Sequence, residues 1–166
     1  MIFRVGVGHD AHRLVTGRPL VLGGVRIPHG QGLAGHSDAD VVAHAVIDAL
    51  LGAAVMGDIG QLFPDDDPAY EGADSLGLMG QVVERVAREG WRVGNVDVVV
   101  VCQAPRLAPY REQMAVRMAE ALCIPPGQVS VKATTTEGMG FEGRGEGISA
   151  TAMCLLVGAD ETDCGA

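Results

Sequence analysis

Two histidines and an aspartate crowd residues 9–12, in the segment GHDAH that follows the apolar run IFRVGV. The run alternates loosely and is β-prone, which predicts a strand over residues 2–13. Residues two apart share a face of a strand, so Asp10 and His12 point together and His9 points away. A carboxylate beside an imidazole is either half of a metal site or a buried polar pair. A further histidine, His44, lies between Asp40 and Asp48 at i−4 and i+4 of a predicted helix, making a polar stripe on an otherwise apolar element. Alone, it reads first as a satisfied histidine on a helix surface. With Asp10 and His12 it completes a two-histidine, one-carboxylate set, which zinc accepts while keeping a fourth position open. Non-haem iron takes the same donor types.

Two further stretches have phosphate chemistry within reach. His36 precedes a helix whose first amides can meet an anion, and Ser37 beside it adds a hydroxyl. Simple N-capping by Ser37 or Asp38 is the plainer reading and is compatible with the first. Later, KATTTEGMGFEGRGEG combines hydroxyls, a carboxylate and clustered glycines. Glycines let backbone amides approach a phosphate, and Glu137 suits a hard cation such as Mg²⁺. A glycine-rich hairpin turn accounts for the stretch equally well. It is neither a Walker A loop nor a Rossmann fingerprint.

The elements that must hold these residues follow from periodicity and breakers. PLVLGGVRIP reads as a hairpin turning at Gly23 and Gly24, and GQGLAGHSDAD as a glycine-rich loop. The first helix follows, with Val41, Ala45 and Leu51 on one apolar face. DIGQLFPDDDPAYEGAD is a long acidic loop of the kind that often carries function. A second helix is predicted over residues 75–89, with Leu76, Met79, Val82, Val83 and Val86 inward and Gly90 as its stop. WRVGNVDVVVVCQ is a strand, and Pro109 suits the first turn of the helix after it. QVSVKATTTE and ISATAMCLLVGA are the last strands, separated by a glycine-rich turn. The order predicts α/β or α+β architecture: one domain over residues 1–160, a mixed sheet covered by helices, and a frayed tail at 161–166.

Composition narrows the function classes. The chain has 166 residues, enough for one self-supporting core, and a formal charge of −9 with no basic stretch. That charge and an aromatic content of 4% disfavour nucleic acid and anionic membranes as partners. An anionic substrate would need bound cations to offset the charge, a second pointer to metal. Cys102, Cys123, Cys154 and Cys164 show no CxxC spacing, as expected of reduced thiols in a cytoplasmic protein. MIFRVGVGHD has no signal-peptide pattern, and no apolar run approaches the roughly 20 residues of a membrane helix.

Taken together, GHDAHRL, LGGVRIPHGQGLAGHSDADVVAHAVIDALLGAAVMGDIGQLFPDDDP, GADS, GNVDVVVVCQAPRLAPY and VKATTTEGMGFEGRGEGI resemble the 2-C-methyl-D-erythritol 2,4-cyclodiphosphate synthases of the non-mevalonate isoprenoid pathway. The segments run in that family's order over nearly the whole chain. The resemblance implies closure of 4-diphosphocytidyl-2-C-methyl-D-erythritol 2-phosphate to a cyclic diphosphate with release of CMP. It implies zinc on Asp10, His12 and His44, and a second divalent ion, Mg²⁺ or Mn²⁺, on Glu137. His36 and Thr135 match positions that stabilise the transition state, and Ser37 one that binds phosphate. Asp58, Ile59 and Gly60 match the nucleotide and erythritol region, and Phe63, Pro64, Asp65, Asp66 and Asp67 the erythritol end. Cys102, Gln103, Ala104, Pro105, Arg106, Leu107 and Ala108 match the cytosine loop, with Thr134 and Thr136 flanking Thr135 on the phosphate side. Arg106 stands where the family often has lysine, which keeps the charge and changes its geometry. Phe141 and Arg144 match residues around a central cavity that binds isoprenoid diphosphates in some members. Helix spacing offers Asp48 as the carboxylate that orients His44. The resemblance also implies a homotrimer with sites between subunits. The competing readings are a metal-dependent phosphohydrolase and a non-catalytic nucleotide or isoprenoid-diphosphate binding protein.

Overall fold

The structure is a computed structural model that describes residues 1–64 and 66–158. Asp65 and the expected tail at 161–166 lie outside the described residues. The first strand, β1 (Phe3–Thr16), is longer than expected and alternates from Phe3 to Leu14: Gly6 and Gly8 are buried, Asp10 and His12 half-buried, and Val5, Val7 and His9 exposed. The hairpin β2 (Leu20–Leu22) and β3 (Val25–Ile27) turns at Gly23 and Gly24, whose φ of 56° and 72° only glycine adopts without strain. Within the expected glycine-rich loop, β4 (Gln31–Leu33) pairs antiparallel with β1, because β1 runs three residues past its expected end to Thr16 and offers it an edge.

Helix α1 (Val41–Ala54) is capped by Asp40, not by Ser37 or Asp38. The Asp40 carboxylate accepts from Val42 N and Ala43 N, each at 3.1 Å, and from Gly23 N and Gly24 N at 2.9 and 2.7 Å. It thus pins the helix start to the hairpin, and the polar stripe expected along the helix begins as a buried cap. Burial pushes this carboxyl up to about 6, while the amide bonds pull it down. The single apolar face expected of α1 is replaced by burial on every side, with only Asp48 and Gly52 escaping it.

The acidic loop holds one turn of helix, α2 (Ile59–Leu62), and a 3₁₀ turn at Pro68–Tyr70. Helix α3 (Ser75–Arg88) buries Leu76, Met79, Val82 and Val86 as expected and ends before Gly90, at φ 79°. Strand β5 (Trp91–Val101) carries a bulge at Gly94. The bulge shifts the side-chain alternation, so that Val93 and Val96 both face the core. Pro109 sits in a 3₁₀ turn, Ala108–Tyr110, that leads into α4 (Arg111–Leu122). Strand β6 (Val129–Thr134) stops three residues short of the expected Glu137, where Glu137 and Gly138 turn to φ 53° and 84°. One helical turn, α5 (Gly140–Gly143), precedes β7 (Gly147–Gly158).

The sheet order is β4-β1-β7-β5-β6, antiparallel except for the parallel β5–β6 pair that α4 connects. It is a mixed α/β single domain, with α1 packed on β1 and β7, α3 beside α1, and α4 against α3 and β6. Ile47, Leu50, Leu51, Met79, Met118 and Ile148 form the fully buried centre.

Candidate metal centre

The approach of α1 to β1 is set by two glycines. A Cβ on Gly6 would stand 1.9 Å from the Ala49 carbonyl oxygen, and one on Gly8 2.0 Å from that of Ala45. The helix backbone therefore lies directly on the strand, and His44 reaches the two residues that follow on the same strand face. His12 Nε2 is 2.9 Å and His44 Nδ1 3.0 Å from Asp10 Oδ2, and the two nitrogens are 3.2 Å apart. His9 bonds Thr151 Oγ1 at 2.9 Å, on the opposite face, as the strand period predicts.

The outer nitrogens of the two rings fix which inner atoms carry lone pairs. His12 Nδ1 lies 2.7 Å from the Ala34 carbonyl, which only accepts, so Nδ1 carries the proton. His44 Nε2 lies 3.0 Å from Ser75 Oγ and 3.2 Å from Ser37 Oγ. The Ser75 hydroxyl donates to Asp38 Oδ1, and the Ser75 amide donates to Asp38 Oδ2 at 3.1 Å. Ser75 Oγ is therefore an acceptor toward His44, whose Nε2 carries the proton. Three acceptor atoms then converge: a carboxylate oxygen, His12 Nε2 and His44 Nδ1. They would repel one another without a cation between them. Around a tetrahedral ion with bonds of about 2.0–2.1 Å, donors stand about 3.3–3.4 Å apart. The observed separations are within tenths of an ångström of that, so this donor set fits a small divalent ion. When no cation is bound, burial alone would raise the Asp10 carboxyl, but a proton shared onto the inner nitrogens takes the cation's place, and the resulting bonds and charges of His12 and His44 hold it well below the usual carboxylate range.

Asp48 does not orient His44. It accepts from Ile59 N at 2.7 Å and anchors the first turn of α2, with burial raising its carboxyl. Helical side chains lean toward the N-terminus, so the His44 ring tilts back to Ser37 and Ser75 and away from residue 48 one turn onward. Ser75 and Asp38, which hold that ring, carry no such role in the sequence reading. Their contact spans 37 residues and no local pattern announces it.

The centre floors a cavity of about 160 Å³ lined by Gly35, His36, Ser37, Ile59, Gly60 and Phe63, among others. Asp58 caps α2 at its rim, Phe63 packs edge-on against Tyr70, and His36 Nε2 is 3.1 Å from the Asp67 carbonyl. Pro64 and Asp66 lie in the same loop. A second cavity, about 430 Å³, is lined by Cys102, Gln103, Pro105, Arg106, Leu107, Ala108, Thr134 and Thr135 with Arg111, and shares no residue with the first. Ala104 belongs to its loop and accepts from Cys102 Sγ at 3.2 Å. Burial pushes the Cys102 thiol up to about 11. Thr134 pairs across β5 and β7 with the level of Ala11, but β6 lies three strand spacings from β1, about 14 Å. Thr135 and Glu137 are exposed there and Thr136 half-buried, all outside the metal triad. Phe141 lines a third cavity with His12, Arg13 and Glu146, and Arg144 Nε pairs with Glu146 Oε1 at 2.6 Å.

A curated protein of Pelotomaculum thermopropionicum named 2-C-methyl-D-erythritol 2,4-cyclodiphosphate synthase is 61% identical over 153 residues, covering 92% of this chain and 94% of its own. The bifunctional IspDF of Campylobacter jejuni superposes with a TM-score of 0.93 at 40% identity, over 97% of this chain; this chain spans 44% of that one. The CDP complex of IspF from Plasmodium falciparum gives a TM-score of 0.84 at 30% identity, over 95% of this chain and 97% of its own. The model of the YgbB family matches residues 3–157, and the chain belongs to that family.

Proposed function

We propose that this chain closes 4-diphosphocytidyl-2-C-methyl-D-erythritol 2-phosphate to 2-C-methyl-D-erythritol 2,4-cyclodiphosphate, releasing CMP, in the non-mevalonate isoprenoid pathway of the cytoplasm. The observation that carries this reading is the convergence of three unprotonated donors about 3 Å apart, on a chain 61% identical to a protein bearing that name. An oxygen of the substrate's 2-phosphate attacks the β-phosphorus. The bond from that phosphorus to the oxygen bridging the α-phosphorus breaks, and CMP leaves with the bridging oxygen. The nucleophile is part of the substrate, so the protein's work is positioning and charge neutralisation.

Asp10, His12 and His44 would hold zinc, which supplies Lewis-acid charge to the diphosphate, and Glu137 would hold the Mg²⁺ or Mn²⁺ that accompanies the substrate. His36 and Ser37 face the first cavity and would fix the attacking phosphate; Thr135, with Thr134 and Thr136, would meet the transferred one. Asp58, Ile59, Gly60 and residues 63–67 would enclose the erythritol, and residues 102–108 the cytosine.

In one chain the metal half and the nucleotide half are separate cavities. The outer sheet face between them is exposed and apolar, with Val5 and Val7 about two-thirds exposed, at 65% and 64%, and Met153 at 51%. A closed homotrimer would cover this face and bring the metal half of one subunit to the nucleotide half of the next. Phosphorus NMR of the zinc- and Mg²⁺-loaded protein with this substrate tests the reading. CMP with a cyclic diphosphate, abolished by chelation and restored by zinc, is expected. Free phosphate would replace it with hydrolysis, and binding without turnover would replace it with a nucleotide-binding role.

A further inference from the structure

Arg18 lies in the connection between β1 and β2, and its guanidinium is forked over the turn that carries His36 and Ser37. Nη1 donates to the Gly35 carbonyl and Nη2 to the Ser37 carbonyl, both at 2.7 Å. The carbonyl between them, of His36, accepts from Gly72 N at 2.8 Å, and Asp38 N donates to Ala73 O at 3.0 Å. In a trans peptide the N–H points opposite to the preceding C=O. Holding the Gly35 and Ser37 oxygens therefore sets both peptide planes that flank the His36–Ser37 pair. Among the described residues no carboxylate pairs with Arg18, although the chain carries 21 acidic residues. Its charge stays at the turn, half-buried beside the cavity lined by Gly35, His36 and Ser37.

We infer that Arg18 is a positioning residue for substrate phosphate: its planar fork holds the 35–38 turn so that His36 and Ser37 meet the phosphate in one orientation. This rests on the proposed role of His36 and Ser37 in the cyclisation. Lysine, a single point charge on a flexible stem, cannot grip two carbonyls 2.7 Å from two separate nitrogens. Both Arg18 bonds go to the turn itself, and that turn reaches the metal ligands at their outer nitrogens, through Ala34 O to His12 Nδ1 and Ser37 Oγ to His44 Nε2, so zinc affinity is the readout that a merely structural loosening of the turn would move.

The test pairs Arg18→Ala and Arg18→Lys with two readouts. In the zinc- and Mg²⁺-loaded enzyme, kcat for CMP release should fall about 10–100-fold in both variants. Zinc affinity should stay within about threefold, and added guanidinium ion, not ammonium, should recover part of the rate in Arg18→Ala. Independently of turnover, inorganic pyrophosphate followed at the His36 and Ser37 amides by nitrogen-15 NMR should bind about tenfold more weakly to Arg18→Ala. Should the wild-type enzyme release no CMP, the proposed reaction falls and the pyrophosphate titration alone decides the clamp. Unchanged pyrophosphate binding overturns it, as does a loss of rate that tracks a loss of zinc or that guanidinium leaves unrecovered.

Discussion

Ser75→Ala isolates what the outer nitrogen of His44 contributes to the metal centre. Ser75 is fully buried, and its Oγ accepts the His44 Nε2 proton at 3.0 Å while donating to Asp38. After truncation the imidazole keeps one weaker acceptor, Ser37 Oγ at 3.2 Å, which is already engaged with Ala39 N at 3.1 Å. The loss is one buried hydrogen bond, partly replaced, or about 1–1.5 kcal/mol. That corresponds to about 5–15-fold in zinc affinity, near the lower end of what orienting partners of metal ligands are worth. Removing both hydroxyls leaves a buried N–H without a partner, and Ser37→Ala/Ser75→Ala should lose clearly more than the two single losses combined. Competition with a chromophoric chelator at fixed pH measures both, with thermal melts of the metal-free proteins reporting any general destabilisation. Zinc binding in Ser75→Ala within twofold of wild type, or strictly additive losses, would refute the reasoning.

Gly8→Ala places a methyl 2.0 Å from a carbonyl of α1 and must lift the helix from β1. Urea unfolding should show a loss of at least about 1–3 kcal/mol, with weakened zinc binding, and unchanged stability would mean the contact is not as close as described. Burial pushes the Cys102 and Cys154 thiols up to about 11, so at pH 8 only about one in a thousand is thiolate. Peptide mapping after brief alkylation should find label on exposed Cys123 well before either, with both labelled as pH nears 11 or on unfolding. Burial alone would raise the Asp10 carboxyl, but it is held well below its usual range beside His12 and His44. The same depressed carboxyl stabilises the folded metal-free chain above its unfolded value of about 3.9, and that contribution drains away as pH falls below it.

Local rules found what local spacing encodes. Alternation on β1 placed Asp10 with His12 and turned His9 away, the glycine pair set the first hairpin, and Gly90 closed α3. Four residues whose partners are distant in sequence escaped it. Asp40 looked like part of a surface stripe because its donors at Gly23 and Gly24 lie on another element. Asp48 matched His44 in helical register, yet side-chain tilt sent the ring the other way. Ser75 holds the ring from across the fold, and Arg18 works through backbone carbonyls, which leave no mark on residue type. The two cavities likewise follow from strand order, which period and propensity do not specify.

One strand departs from the usual rule and explains why the site sits where it does. A half-buried strand normally turns its valines inward, but β1 turns Val5 and Val7 to solvent and Gly6 and Gly8 to the core. Valines on the inner face would hold α1 a side chain's depth away, and His44 could not then close on Asp10 and His12 at about 3 Å. The inner face is thus spent on bringing helix backbone to strand backbone, and the outer face is left apolar. An exposed apolar face is costly for an isolated chain and stabilising once covered. In the proposed trimer that cover is a second subunit, and the same contact brings a nucleotide cavity to the metal. The glycines that build the metal centre and the valines that the proposed trimer would cover are alternate residues of one strand, so on that reading forming the centre and completing the active site would be two consequences of a single side-chain alternation.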